Sequence, residues 1–101
     1  MKIQNEGRRV SISELPELSV LNAADFEEKY RAAALGAPSV IEIDLSETGF
    51  MDSSGLRALS ALYRSYGHAS GATLRLLNPR SEIQQMLEQT HMHQLYEVLC
   101  R

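Results

Sequence analysis

The chain has 101 residues, 44% of them hydrophobic, and this length suffices for one domain around a single modest core. Its formal net charge is -3, and its ten lysines and arginines are scattered, which argues against a nucleic-acid partner. No segment approaches the roughly 18 apolar residues of a membrane span. The first ten residues contain no apolar signal-peptide core, so we expect a cytoplasmic protein without membrane insertion.

The first third of the sequence predicts a hairpin followed by a helix. Lys2–Asn5 and Arg8–Ser13 flank an Asn-Glu-Gly turn signal and favour an antiparallel pair of strands. Apolar residues then recur along one face of residues 22–36. Asn22 is the expected N-cap of this helix, and Gly36 is its expected end.

The middle of the sequence predicts a central strand and a second helix. Ser39–Leu45 is rich in β-branched residues, which is typical of a buried strand, and we expect Glu42 on its more exposed side or near an edge. From Ser54 to Gly67, leucines, alanines and tyrosines recur at helical spacing.

The last third predicts a strand, a third helix and a short final strand. Thr73–Leu77 reads as a strand, Ser81 and Gln84 form a capping-box pattern, and Leu95–Leu99 is compatible with a last strand. Strands that alternate with helices indicate an α/β fold with parallel pairs in the sheet.

Two adjacent serines precede the second helix. One interpretation makes either Ser53 or Ser54 the N-cap, since most serines before an apolar helix have this role. One serine suffices for a cap, however, and Gly55 allows the backbone of another molecule to approach closely. The second serine is then free for another role.

The sequence offers no support for an enzyme, a metal site or a cofactor. A serine hydrolase needs a base and usually a Gly-x-Ser-x-Gly elbow, and nothing in the sequence brings His68 to Ser53. His91, His93 and Glu88 form an incomplete ligand set for a metal. We therefore expect neither catalytic nor cofactor-binding residues.

Phosphorylation of Ser53 makes physical sense at this position. A phosphate at a helix N-terminus gains from free backbone N–H groups and from the helix dipole. Arg57, four positions on, is a possible charge partner. The added charge beside Asp52 would oppose any partner that has to cover this surface.

The segment IDLSETGFMDSSGLRAL, residues 43–59, resembles the central motif of STAS domains, the module named for sulfate transporters and anti-sigma factor antagonists. The likeness extends over nearly the whole chain, from Pro16–Ser19 to the closing segment. It implies one STAS domain over residues 1–101. The fold it implies is a mixed sheet of four to five strands with helices packed mainly on one face.

The sequence is most similar to the small bacterial antagonists, and this resemblance implies a function. Ser53 matches the phosphoacceptor of those proteins, and Asp52, Ser54 and Gly55 match the motif around it. The unphosphorylated antagonist binds an anti-sigma factor that is a serine kinase of the histidine-kinase-like ATPase type, which frees the sigma factor and regulates transcription. A serine phosphatase resets the switch.

The resemblance also implies a partner surface near Ser53. It includes Phe50, Met51 and Arg57 besides the motif residues, and Ser19 in a loop that contacts the kinase in the family. Pro16 and Ser19 stand where the family usually has Gly and Asp. The alternative within this fold is an unphosphorylated STAS subunit of an ABC-type lipid-transport complex.

Overall fold

The computed structural model describes residues 1–100, which form a five-stranded mixed sheet, a separate two-stranded pair and three α-helices. The large sheet contains, in spatial order, β1 (Lys2–Glu6), β2 (Arg9–Ser13), β4 (Val40–Asp44), β6 (Thr73–Leu77) and β7 (Glu97–Leu99). The two-stranded pair contains β3 (Glu17–Leu18) and β5 (Phe50–Met51). The helices are α1 (Ala23–Ala33), α2 (Ser53–Leu62) and α3 (Ser81–Gln89).

The sheet combines one hairpin with three parallel crossovers. β1 and β2 pair antiparallel, and Gly7 adopts a φ of +69° in the turn between them, as the Asn-Glu-Gly signal predicted. β2, β4, β6 and β7 are parallel neighbours in sequence order, with one helix in each connection. Right-handed crossovers that all step in one direction place all three helices on the same face. The predicted fold class is confirmed.

The helix-covered face of the sheet is apolar because alternate strand residues point into one core. The strands contribute Val10, Ile12, Ile41, Ile43, Leu74 and Leu76 to it. The helices contribute Phe26 and Tyr30 from α1, Leu59 and Leu62 from α2, and Ile83 and Leu87 from α3. Each large side chain buried in this way contributes about 1.5–3 kcal/mol relative to an exposed one. This packing fixes α2, whose N-terminus carries the serine pair.

The opposite face carries a row of charged side chains centred on Glu42. Glu42 lies on the more exposed side of β4, which was one of the two predicted positions, and the alternative position near an edge is wrong because β4 is the central strand. The residue itself is nevertheless buried, with 3% exposure. Arg9 from β2 pairs with one carboxylate oxygen, and Arg75 Nη1 from β6 lies 3.2 Å from the other. Arg75 also lies 3.6 Å from Glu97 on β7. The two arginines cover the carboxylate and compensate its charge.

The ends of the first and second helices agree with the predictions only in part. Asn22 is the N-cap residue of α1, as predicted, but its side chain makes no cap hydrogen bond and binds the preceding loop instead. α1 ends at Ala33 and continues as a 3₁₀ turn, and the left-handed residue that follows is Ala37 rather than Gly36. Beyond Leu62, α2 continues as a π-helical turn.

The third helix also begins differently from the prediction. Arg80 is its N-cap residue, and Ser81 is already the first helical residue, so the predicted capping box of Ser81 and Gln84 does not form. The predicted strand Thr73–Leu77 is confirmed, and the final strand is the short β7.

Candidate functional site

The block Asp52–Gly55 opens α2 and follows a loop that hydrogen bonds hold against the segment before α1. Gly49 N donates to Pro16 O at 2.9 Å, and the buried Thr48 hydroxyl donates to Leu15 O at 2.6 Å. β5 follows this loop and pairs in parallel with β3. The loop and β5, which lead into α2, are therefore both hydrogen-bonded to the segment before α1.

Asp52, rather than a serine, is the N-cap of α2. It has an extended backbone conformation, and its Oδ1 accepts hydrogen bonds from Ser54 N at 2.9 Å and Gly55 N at 3.1 Å. The prediction that Ser53 or Ser54 is the cap is wrong, because the carboxylate one position earlier already satisfies the first-turn donors. Both serine hydroxyls are free of the capping role, and Ser53 is exposed.

The same hydrogen bonds change the expected surroundings of a phosphate on Ser53. The N–H groups of Ser54 and Gly55 are not free, since Asp52 occupies them, and Leu56 N donates to the Asp52 carbonyl at 3.0 Å. The expectation that such a phosphate gains these free N–H groups is therefore wrong. A phosphate here meets a carboxylate at the helix N-terminus instead.

Asp52 also connects α2 to the loop before α1. Its Oδ2 accepts a hydrogen bond from Val20 N at 3.1 Å, a contact between residues 32 positions apart. The N–H groups of Val20, Gly55 and Ser54 together hold the pKa of the Asp52 carboxyl below its usual range, against a smaller opposing effect of desolvation. The carboxylate is therefore charged at neutral pH and holds two segments together.

A network of hydrogen bonds orders the loop that Asp52 holds. Ser19 is buried, its hydroxyl accepts from Leu21 N at 3.2 Å, and its carbonyl accepts from the N–H groups of Asn22 and Ala23. The Asn22 amide accepts from Ser19 N at 2.9 Å and donates to Glu17 O at 2.6 Å. The ordered loop leaves Val20 70% exposed and Leu21 82% exposed.

Gly55 is needed for contact within the chain. A Cβ added at Gly55 would lie 2.0 Å from Leu18 O, far inside van der Waals contact. The close approach that we expected from another molecule is therefore made by β3 of the same chain. Glycine at this position allows the loop before α1 to pack directly on the first turn of α2.

The predicted site residues differ in their accessibility. Phe50 is 55% exposed, and Ser53 and Arg57 are exposed, whereas Asp52 and Ser54 are partly exposed. The remaining members of the predicted set are buried, namely Ser19, Met51 and Gly55. Buried groups shape this surface from below, and a partner would contact the exposed residues around them.

A small cavity lies beside the serine pair, between the starts of α1 and α2. Its volume is about 260 Å³, and its lining consists of Val20, Ala23, Ala24, Glu27, Ser54 and Arg57. Three apolar side chains form one half of this lining, and Glu27, Ser54 and Arg57 form the other half. The sequence analysis did not include Val20, or the exposed Leu21 that follows it, among the candidate partner-binding residues. The signal that could have found them is two consecutive apolar residues directly before Asn22.

The histidines belong to other parts of the fold. His68 ends the π-helical turn after α2, and the rings of His91 and His93, after α3, lie 6.2 Å apart. Residues 1–100 contain no group of three or more His, Cys, Asp or Glu side chains arranged to hold a metal ion. None of the helices in this range is long and apolar enough to cross a membrane.

Comparison with known proteins identifies a family and a fold. A model of the STAS domain family matches residues 10–99. A candidate anti-sigma factor antagonist from Thermotoga maritima has a similar structure, with a TM-score of 0.86 and 19% identity, over 97% of this chain and 84% of that chain. No protein with a curated function matches the sequence.

Two structures of the anti-sigma factor antagonist SpoIIAA are also similar. The unphosphorylated form has a TM-score of 0.82 and 22% identity, over 96% of this chain and 85% of that chain. The phosphorylated form, described as a Bacillus cell fate determinant, has a TM-score of 0.71 and 20% identity, over 96% of this chain and 88% of that chain. At these identities the likeness establishes a shared fold.

Proposed function

The chain belongs to the STAS domain family, and from this premise we propose that it is a cytoplasmic anti-sigma factor antagonist controlled by phosphorylation of Ser53. In the unphosphorylated state it binds an anti-sigma factor that is a serine kinase of the histidine-kinase-like ATPase type. Phosphorylation of Ser53 by that kinase releases the complex, and a serine phosphatase restores binding. The protein is a binding partner in this cycle and not an enzyme.

The observation that carries the proposal is the free, exposed hydroxyl of Ser53 beside the Asp52 cap. Because Asp52 supplies the cap, modification of Ser53 removes no hydrogen bond from α2. The phosphorylated protein therefore keeps its fold. The exposure of Ser53 also makes the hydroxyl accessible to a kinase.

The electrostatics of the site explain why a phosphate would end binding. Phosphorylation adds about -1.5 to -2 charges at neutral pH. Asp52 is already charged there, and it occupies the N–H groups of Ser54 and Gly55 that would otherwise neutralise a phosphate. A partner that covers Ser53 would have to bury this charge, at a cost of several kcal/mol.

The test uses the purified histidine-kinase-like ATPases of the source organism, each incubated with the protein and ATP. Intact mass and peptide mapping would find one phosphate, on Ser53, in the wild type and none in Ser53→Ala. Ser54→Ala is the matched control and should be phosphorylated normally. The phosphorylated wild type should no longer form the complex.

Other outcomes would contradict the proposal. A stable complex without phosphate on either protein would indicate a constitutive subunit, such as the STAS component of a lipid-transport ATPase. Phosphate on Ser54 in place of Ser53 would show that the proposal assigns the wrong acceptor residue.

A further inference from the structure

Exposed apolar side chains concentrate around Ser53. The large hydrophobic residues exposed within residues 1–100 are Met1, Val20, Leu21, Leu35, Phe50 and Leu95. Val20 is hydrogen-bonded to Asp52 through its backbone, and Leu21 follows it directly. Phe50 lies two residues before Asp52 and pairs with Glu17 of β3. Half of the exposed large hydrophobic residues therefore belong to the segments that meet at Asp52.

The loop that carries Val20 and Leu21 is ordered before any partner binds. Its N–H groups at Val20 and Leu21 donate to Asp52 Oδ2 and Ser19 Oγ, and the Asn22 side chain binds the backbone of Glu17 and Ser19 before them. An ordered loop loses little conformational entropy on binding, which favours affinity. Two adjacent apolar side chains held in this way form a preorganised contact for a protein surface.

Arg57 supplies a single cation at the edge of the same surface. It is exposed, and it lines the cavity with Val20 and Ser54, while Glu27 is the acidic residue of that lining. Within the described part of the chain, Arg57 has no salt bridge, whereas Arg9 and Arg75 of the large sheet are paired. Its charge is therefore available to an acidic group of a partner.

We propose that the anti-sigma factor partner takes Val20 and Leu21 into an apolar recess and pairs a carboxylate with Arg57. This inference rests on the proposed function and adds the chemistry of the partner's surface. It also adds a second effect of phosphorylation, because a phosphate on Ser53 is four residues from Arg57 on one helix and competes for the same cation. Phosphorylation then removes a contact as well as adding a charge.

The apolar part is tested by measuring the affinity of the Ser53-phosphorylating ATPase for the double variant Val20→Ser, Leu21→Ser. We expect binding at least about tenfold weaker than for the wild type, because a rigid apolar anchor is lost. Leu35→Ser is the matched control, since Leu35 is 86% exposed at the other end of α1, and it should bind like the wild type. Equal affinities of the double variant and the control would overturn the proposal.

The ionic part is tested with Arg57 variants and the same ATPase. Arg57→Glu should weaken the complex by about tenfold or more, and Arg57→Lys should keep most of the affinity, because it keeps the charge. Unchanged binding by Arg57→Glu would refute the predicted carboxylate.

A measurement without the partner tests the competition for Arg57. In protein phosphorylated at Ser53, ³¹P NMR should give a lower second pKa of the phosphate in the wild type than in Arg57→Gln. Identical values would show that the phosphate does not use Arg57.

These results separate the inference from the function on which it rests. If no ATPase phosphorylates or binds the wild type, the proposed function and the inference both fail. If one ATPase phosphorylates Ser53 and binds all variants equally, the function stands and only the inference fails.

Discussion

A leucine is exposed to almost the same extent at each end of α1, but the two leucines differ in the hydrogen bonds that hold their backbone. Leu21, before the helix, is 82% exposed in a loop fixed to Asp52 and to its own backbone. Leu35, after the helix, is 86% exposed in a 3₁₀ turn that ends at Ala37, whose φ is +52°. The two leucines are therefore nearly equal in exposure, and only Leu21 lies in the loop that is hydrogen-bonded to Asp52.

The largest effect on stability should come from disturbing the close contact between Gly55 and Leu18, which precedes the loop that carries Leu21. Gly55→Ala places a Cβ 2.0 Å from Leu18 O, so the loop must shift, and we expect a loss of at least about 2 kcal/mol in the free energy of unfolding. Gly36→Ala, beside Leu35, meets nothing within 4 Å and should be neutral or stabilising by about 0.4–1 kcal/mol. Urea denaturation of both variants would measure the difference, and equal midpoints would contradict the comparison.

A smaller effect is expected when Asp52 loses one of its two acceptor oxygens. Asp52→Asn retains one carbonyl oxygen, so it cannot accept from both the first turn of α2 and Val20 N. We expect faster hydrogen exchange at the Val20 amide, with no change at Ala37, which bonds to Ala34 O at the other end of α1. NMR-detected exchange would measure both. Full protection of Val20 in the variant would show that Asp52 does not order the loop.

The contribution of Asp52 to stability should depend on pH. Because its pKa is lower in the folded protein than the ordinary value of 3.8, the charged form stabilises the fold above that pH, and the stabilisation is lost as the pH falls through the folded pKa. The difference in unfolding free energy between the wild type and Asp52→Asn should therefore be constant near neutral pH and shrink below pH 3.8. A difference that is independent of pH down to acid denaturation would contradict this assignment.

The smallest effects concern the two leucines themselves. Leu21→Ser and Leu35→Ser each remove an exposed side chain, so each should change the free energy of unfolding by less than about 0.5 kcal/mol. Thermal unfolding would check this expectation. A large loss for Leu21→Ser alone would mean that the side chain packs within the fold and is not available to a partner.

Periodicity made most of the fold predictable. Val10 and Ile12 show the alternation of a strand with one buried face, and Leu59 and Leu62 show the spacing of a helix packed on a sheet. The pair of β3 and β5 was missed, because strands of two residues have no period to detect. The burial of Glu42 was not predicted, because it depends on arginines from two other strands.

The site was less predictable than the fold, because its hydrogen bonds join distant parts of the sequence. The Asp-Ser-Ser-Gly pattern predicted a role for Ser53, and the spacing of four residues predicted one for Arg57; both residues are exposed. One of the two serines was expected to cap the helix, but a carboxylate with two oxygens can serve both the helix and the loop. Nothing local indicates that Val20 meets Asp52.

The charged row centred on Glu42 also bears on how the parallel strands align. If β4 slipped by two residues, its apolar side chains would still face the helices, so the hydrophobic pattern alone tolerates the error. A slip that moved Glu42 to the level of Asp44 would place it opposite Leu77 and four residues along the strand from the level of Arg9, so the pair with Arg9 would be lost. A buried carboxylate that loses part of its charge compensation is unfavourable, so the row opposes a slip that the core alone would accept.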